Sequence, residues 1–179
     1  MTDLKIKASR IRLFLTDVDG VLTDGGMGYT EKGDEQKVFN TRDGGGLMLL
    51  QGAGIKTGII TSEKTEIVSR RAAKLGVDIL LQGVKDKLKA FRELENGMGI
   101  SLDETAYIGD DINDIPLLGA VGLAATVPDH CLPPSVHIHY MTERPGGKGA
   151  VRDFAEWILK TRGQYEEVLN LYLQERSGG

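Results

Sequence analysis
A chain of 179 residues, 40% hydrophobic and 27% charged, has the size and balance of one soluble domain that buries a core without staples. The formal net charge of −4 argues against a general nucleic-acid binder, which carries a basic face, and no apolar run reaches the ~18 residues of a membrane span. The lone Cys131 forms no internal disulfide and the first ten residues lack a signal-peptide core, so the expected compartment is the cytoplasm.

The first element, "IRLFLT" over residues 11–16, reads as a buried strand that runs straight into Asp17 and Asp19. Crowded carboxylates repel one another and resist desolvation, so a pair at the mouth of a core strand calls for a counter-charge. The next stretch, "GGMGYTEKGDEQKVFNTRDGGG", is glycine-rich and polar, with two short extended runs around "EKGD". That pattern predicts a β-hairpin over about residues 26–40, a flap above the carboxyl end of the first strand. A helix over 44–53 stops at Gly54. Strands follow at "KTGIIT" (56–61), "VDILLQ" (77–82), "TAYIGD" (105–110) and "VGLAAT" (121–126), separated by helices over 64–75, 86–97 and 113–119. A helix from Ala150 to about Arg162 and a mobile tail over about 172–179 close the chain. Strand–helix alternation of this kind predicts an α/β fold with a doubly wound, mostly parallel sheet, in one domain over 1–179 and without a cap domain.

In open α/β sheets ligands bind outside the carboxyl ends of the strands. Asp17, Asp19, Thr61 and Asp110 all fall at such ends, and Lys87 opens the helix after "LLQGVKD". Oxygen ligands crowded together in this way suit Mg²⁺, which neutralises the carboxylates and draws in a phosphate.

"DVDGVLT", then Thr61, then Lys87, then "GDDINDIP" resembles, in order and spacing, the four motifs of the haloacid-dehalogenase-like phosphatases, and the resemblance covers nearly the whole chain. The short hairpin in place of a cap, "FNTRDG" and "PGGKGAVRDF" look like the branch that dephosphorylates 2-keto-3-deoxy sugar acids. The resemblance implies an aspartyl-phosphate mechanism with Asp17 as nucleophile and Asp19 as general acid and base, assisted by Lys87 and Thr61. It also implies that Asp17, the Asp19 main-chain carbonyl and Asp110 hold Mg²⁺, with Asp114 a partner for Lys87 or a metal-bound water. The branch further implies a homo-oligomer, a tetramer in which a neighbouring subunit covers the open site.

The stretch "TSEKTEIVSRRAAKLG" bears on the substrate. Glu63 stands where the eight-carbon branch carries arginine, and so leans toward 2-keto-3-deoxy-D-glycero-D-galacto-nononate 9-phosphate, with 3-deoxy-D-manno-octulosonate 8-phosphate as the alternative. Expected substrate contacts are Glu63, Asn113, the flap residues Thr41, Arg42 and Asp43, and Lys74 or a neighbouring subunit's copy of Arg71; a solvated helix face is the rival reading for Arg71 and Lys74. Ser62 departs from the glycine usual there. Asp24 and Asp111 suit turn or cap roles as well as chemistry. His137 and His139 suit an exposed strand face, Cys131 a buried or partly buried small side chain, and "PGGKGA" a turn near the site, since it lacks P-loop spacing. Two remote rivals remain: a receiver module, which would carry its aspartate on a later strand, and a non-catalytic phosphatase-like domain, which would not need the full set of motifs.

Overall fold
The computed structural model describes residues 3–33 and 35–177. A short helix α1 (Asp3–Arg10) leads into strand β1 (Leu13–Thr16), and the hairpin β2 (Gly28–Tyr29) and β3 (Glu35–Gln36) follows. Then come α2 (Thr41–Gly52), β4 (Lys56–Ile60), α3 (Glu66–Leu75), β5 (Ile79–Leu81), α4 (Lys87–Met98) and β6 (Thr105–Ile108). The chain continues through α5 (Ile115–Leu118), β7 (Leu123–Thr126), β8 (Tyr140–Met141), α6 (Ala150–Arg162) and α7 (Tyr165–Ser177).

Six strands form one sheet in the order β5-β4-β1-β6-β7-β8, and every neighbouring pair is parallel. This is the doubly wound α/β architecture expected from the alternating pattern. β1 is central and buried along its whole length, and its alternate side chains supply the two faces of the sheet. Phe14 joins Leu47, Leu50, Phe154 and Ile158 on the face covered by α2 and α6. Leu13 and Leu15 join Phe91, Leu117 and Leu118 on the face covered by α4 and α5. Gly46 permits the close contact of α2 with α6, for a Cβ there would lie 2.7 Å from the Arg152 Cα.

Several elements differ from expectation. α2 begins at Thr41 rather than at 44, because the Asn40 side chain accepts from the Arg42 N–H and caps it. Thr41, Arg42 and Asp43 are therefore the first turn of a helix and not part of the flap. The predicted helix over 113–119 is a 3₁₀ turn, Ile112–Asp114, continued by α5. The sixth strand, β8, adds to the sheet edge, and His137 and His139 lie in the loop before it and not on a strand face. Cys131 is exposed, where a buried or partly buried position was expected. α7 continues as helix through Ser177 across most of the expected mobile tail, whose Gly178 and Gly179 lie outside the described residues. Among the described residues no helix is long and apolar enough to cross a membrane.

Candidate active site
Strand register assembles the site. Thr16 of β1 sits opposite Ile59 of β4 and Ile108 of β6, so the residues just beyond these strands meet at one rim. The Asp17 N–H donates to the Ile108 carbonyl at 3.0 Å, and the Thr61 N–H to the Leu81 carbonyl at 2.9 Å. A cleft of about 230 Å³ opens there, lined by Asp17, Asp19, Thr61, Glu63 and Asn113, with Met27 from the hairpin side.

Lys87 enters from α4. Asp86 caps that helix by accepting from the Lys89 N–H, which leaves Lys87 at the first helical position, where the helix dipole disfavours an ammonium. Its fully buried Nζ lies 2.9 Å from Asp17 Oδ1 and also pairs with Asp114 Oδ1. Burial works to lower the Lys87 pKa, but Asp17 and then Asp114 outweigh it and hold it above the ordinary value. Asp114 is saturated: Oδ1 accepts from Lys87 and from the Tyr107 hydroxyl, and Oδ2 from the Asp110 and Asp111 N–H groups at 2.8 and 3.1 Å. It therefore organises the "GDDIND" loop and Lys87.

Asp17, Asp110 and Asp114 present oxygens within 4.8 Å of one another. Against these three carboxylates stands the single Lys87 ammonium, a deficit equal to the charge of one divalent cation. Burial, partly opposed by Lys87, pushes Asp17 up to about 7. Burial and then Asp17 and Asp114 push Asp110 up to about 7 as well. Asp110 Oδ1 is buried and has no hydrogen-bond partner among the described residues. An orphaned buried oxygen beside a second raised carboxyl fits a hard cation with oxygen ligands. Gly20 keeps the space open: a Cβ there would sit 2.0 Å from Asp110 Oδ2, and its φ of +88° strains any other residue.

Asp110 and Asp17 release protons in the folded state only above the 3.8 of an unperturbed carboxyl, near 7. The folded protein thus binds more protons than the unfolded chain in that window, and these two groups make the metal-free protein less stable as pH rises through it. A bound divalent cation removes the effect. We expect the Mg²⁺-induced rise in Tm to grow as pH increases toward and past 7, checked by thermal melts with and without the ion. A shift that is constant with pH would count against these two carboxylates as ligands.

The remaining expected contacts separate. Glu63 and Asn113 line the cleft, and Asn113 Nδ2 donates to Ser62 Oγ at 3.1 Å. Thr41 and Arg42 are exposed at the start of α2. Asp43 is fully buried and accepts from the Arg152 N–H at 3.1 Å, tying α2 to the start of α6. Arg71 donates to the Asn40 carbonyl at 3.0 Å and lies over the Phe39 ring, so within its own chain it braces the base of the hairpin. Lys74 is exposed at the other end of α3, beside Leu75, whose carbonyl accepts from a Gln51 that also bonds Thr57 in β4. That is the amino end of the sheet, opposite the cleft. "PGGKGA" packs against the loop after Asp19, with the Gly147 N–H donating to the Val21 carbonyl at 2.9 Å. Asp111 caps the 3₁₀ turn and also lines the cleft. Two residues of the site escape the sequence reading: Tyr107, whose hydroxyl joins Lys87 and Asp114, and Lys37, whose Nζ lies 2.6 Å from Asp19 Oδ1.

The model of the haloacid dehalogenase-like hydrolase family matches residues 34–122. The chain is 39% identical over 166 residues to 3-deoxy-D-manno-octulosonate 8-phosphate phosphatase KdsC of Escherichia coli (strain B / BL21-DE3), covering 93% of this chain and 88% of that one. The Yersinia pestis enzyme of the same name is 39% identical over 172 residues, with 94% and 90% covered. The crystal structure of 3-deoxy-D-manno-octulosonate 8-phosphate phosphatase from Moraxella catarrhalis, in complex with magnesium, phosphate and KDO, superposes with a TM-score of 0.91 at 39% identity, over 96% of this chain and 99% of that one. The cobalt-bound enzyme of Haemophilus influenzae gives a TM-score of 0.83 at 36% identity, over 89% and 93%. With Asp17, Thr61, Lys87 and Asp110 gathered at the carboxyl ends of the interior strands, beside a hairpin and with no cap domain among the described residues, the chain belongs to the haloacid-dehalogenase-like phosphatases, in their capless 2-keto-3-deoxy sugar acid branch.

Proposed function
We propose that this chain is a Mg²⁺-dependent phosphomonoesterase that removes the terminal phosphate of a 2-keto-3-deoxy sugar acid, with 3-deoxy-D-manno-octulosonate 8-phosphate as first substrate. The observation that carries the chemistry is the buried Asp17 carboxylate, 2.9 Å from Lys87 Nζ and open to the cleft. An Asp17 oxygen attacks phosphorus, the bond to the sugar oxygen breaks, and Asp19 gives that oxygen a proton. Asp19 then takes a proton from water as the water attacks the aspartyl-phosphate, releasing phosphate and restoring Asp17. Lys87 and the Thr61 hydroxyl hold the non-bridging oxygens where charge gathers. Asp17, Asp110 and the Asp19 main-chain carbonyl would hold Mg²⁺, which supplies the positive charge that lets a phosphate approach the carboxylates.

The choice of eight carbons over nine rests on the relatives of known name, which are octulosonate phosphatases, and reverses the lean of Glu63. The nine-carbon 9-phosphate stays as second reading because Glu63 lines the cleft, where a carboxylate accepts from sugar hydroxyls. The proposal includes a homo-oligomer, a tetramer, since no cap domain covers the cleft among the described residues and water exclusion strengthens electrostatic catalysis; Lys74 at the far end of α3, and Arg71 held on Asn40 and Phe39, would then serve a neighbouring subunit's site. The test is kcat/KM for both phosphates with the wild type and with Glu63→Arg. We expect the wild type to favour the octulosonate, and the substitution to move the ratio further that way by about 10–100-fold, or about 1.4–2.8 kcal/mol. A wild-type preference for the nononate installs the second reading, and hydrolysis of neither phosphate overturns both.

A further inference from the structure
Lys37 follows β3 on the returning arm of the hairpin, in "EQKVF", where an ordinary flap lysine would reach into water. Its side chain is instead wholly inaccessible. Its Nζ donates to Asp19 Oδ1 at 2.6 Å and to Met27 Sδ at 3.1 Å, and Glu35 Oε1 lies 3.5 Å away. Taking an ammonium out of water is costly unless carboxylates compensate it, and among the described residues the carboxylate oxygen nearest to it is Asp19 Oδ1. The hairpin itself is weak, with two residues in each strand, too few to be stable alone. The Lys37–Asp19 bond is therefore a tether between the flap and the carboxyl end of β1.

The tether also fixes the carboxylate. Oδ1 of Asp19 is committed to Lys37 and, at 3.3 Å, to the Thr23 hydroxyl, leaving Oδ2 to carry the proton. We propose that Lys37 is a positioning residue for proton transfer: it orients the Asp19 carboxyl toward the leaving oxygen and does so only when the flap is seated. The inference rests on the proposed role of Asp19 as general acid. It assigns the hairpin a part in the chemistry and not merely in covering the cleft.

The leaving group separates this role from a structural one. A sugar alkoxide needs a proton to depart, whereas p-nitrophenolate departs without one. With Lys37→Met we expect kcat/KM, which reports phosphoryl transfer to Asp17 and not the later hydrolysis common to both substrates, to fall about 10²-fold on octulosonate 8-phosphate, within the range of positioned general-acid catalysis, and to change only a few-fold on p-nitrophenyl phosphate. Lys37→Arg, which keeps the charge and a donor, should recover much of the loss on the sugar phosphate. Equal losses on both substrates, or no recovery with arginine, overturn the proposal. Asp19→Asn distinguishes the two layers. If it shows the same leaving-group dependence while Lys37→Met does not, the positioning role alone fails. If Asp19→Asn shows none, the general-acid reading fails and takes the inference with it.

Discussion

We expect Asp17→Asn to remove turnover, by about 10⁴-fold or more, and to leave the fold intact. The loss would follow from deleting the proposed nucleophile, since groups acting as one unit lose nearly all their catalytic effect when a single member goes. The fold survives because the amide has the shape of the carboxyl and Lys87 keeps its bond to Asp114. Burial already pushes Asp17 up to about 7, so its charge is a strain on the metal-free protein at neutral pH and its removal relieves it. The metal-free variant should therefore melt no lower than the wild type, while its gain on adding Mg²⁺ shrinks. Phosphate release and paired melts with and without Mg²⁺ check both halves. Turnover within a hundredfold of wild type would falsify Asp17 as nucleophile.

Lys87→Met acts in the opposite sense on stability. It strands Asp17 and Asp114, which are 5% and 0% exposed, and takes from the Tyr107 hydroxyl a neighbour at 3.1 Å. Removing one partner of a buried ion pair costs about 3–5 kcal/mol because the other charge stays behind. Denaturant unfolding of the metal-free variant should show a loss of that size, with kcat down about 10²–10³-fold through the missing charge on the phosphate oxygens. A second substitution, Asp114→Asn, should then cost much less in this background than alone, since the two groups share one network. Stability within 1 kcal/mol of wild type would sink the view that the ammonium holds the carboxylates together.

Much of the fold is legible because a buried parallel strand leaves a plain trace: a short apolar, β-branched run that stops at a glycine or an acid. Asp17, Thr61 and Asp110 lie just past three such runs, and the register of β1 with β4 and β6 brings them together. Lys87 and Asp114 meet as expected because both follow strand ends on one face. Other errors have physical causes. Thr41–Asp43 look like flap residues, but the Asn40 cap turns them into helix and the α6 N-terminus claims Asp43, a contact over a separation that no local pattern encodes. Lys74 could have been placed from the sequence, since a ten-residue helix rising 1.5 Å per residue carries it away from the Thr61 end. Tyr107 reads as one more apolar strand residue, and only the tertiary fold aims its hydroxyl at Asp114. Lys37 reads as a solvated flap charge for the same reason. α1 carries few buried side chains, with Ala8 its single buried one, so its periodicity is faint.

The central position of β1 has a cost during biosynthesis. Leu13–Thr16 leaves the ribosome before either of its partner strands, which begin only at Lys56 and Thr105. At 5–20 residues per second the second partner arrives roughly 5–20 s later. In that interval "LFLT" has at least one open edge and two bare apolar faces, the condition in which nascent chains stick to one another. Parallel pairing across such separations is slow to close, so the strand that carries Asp17 at its end stays open to such contacts until residues beyond Thr105 have been made.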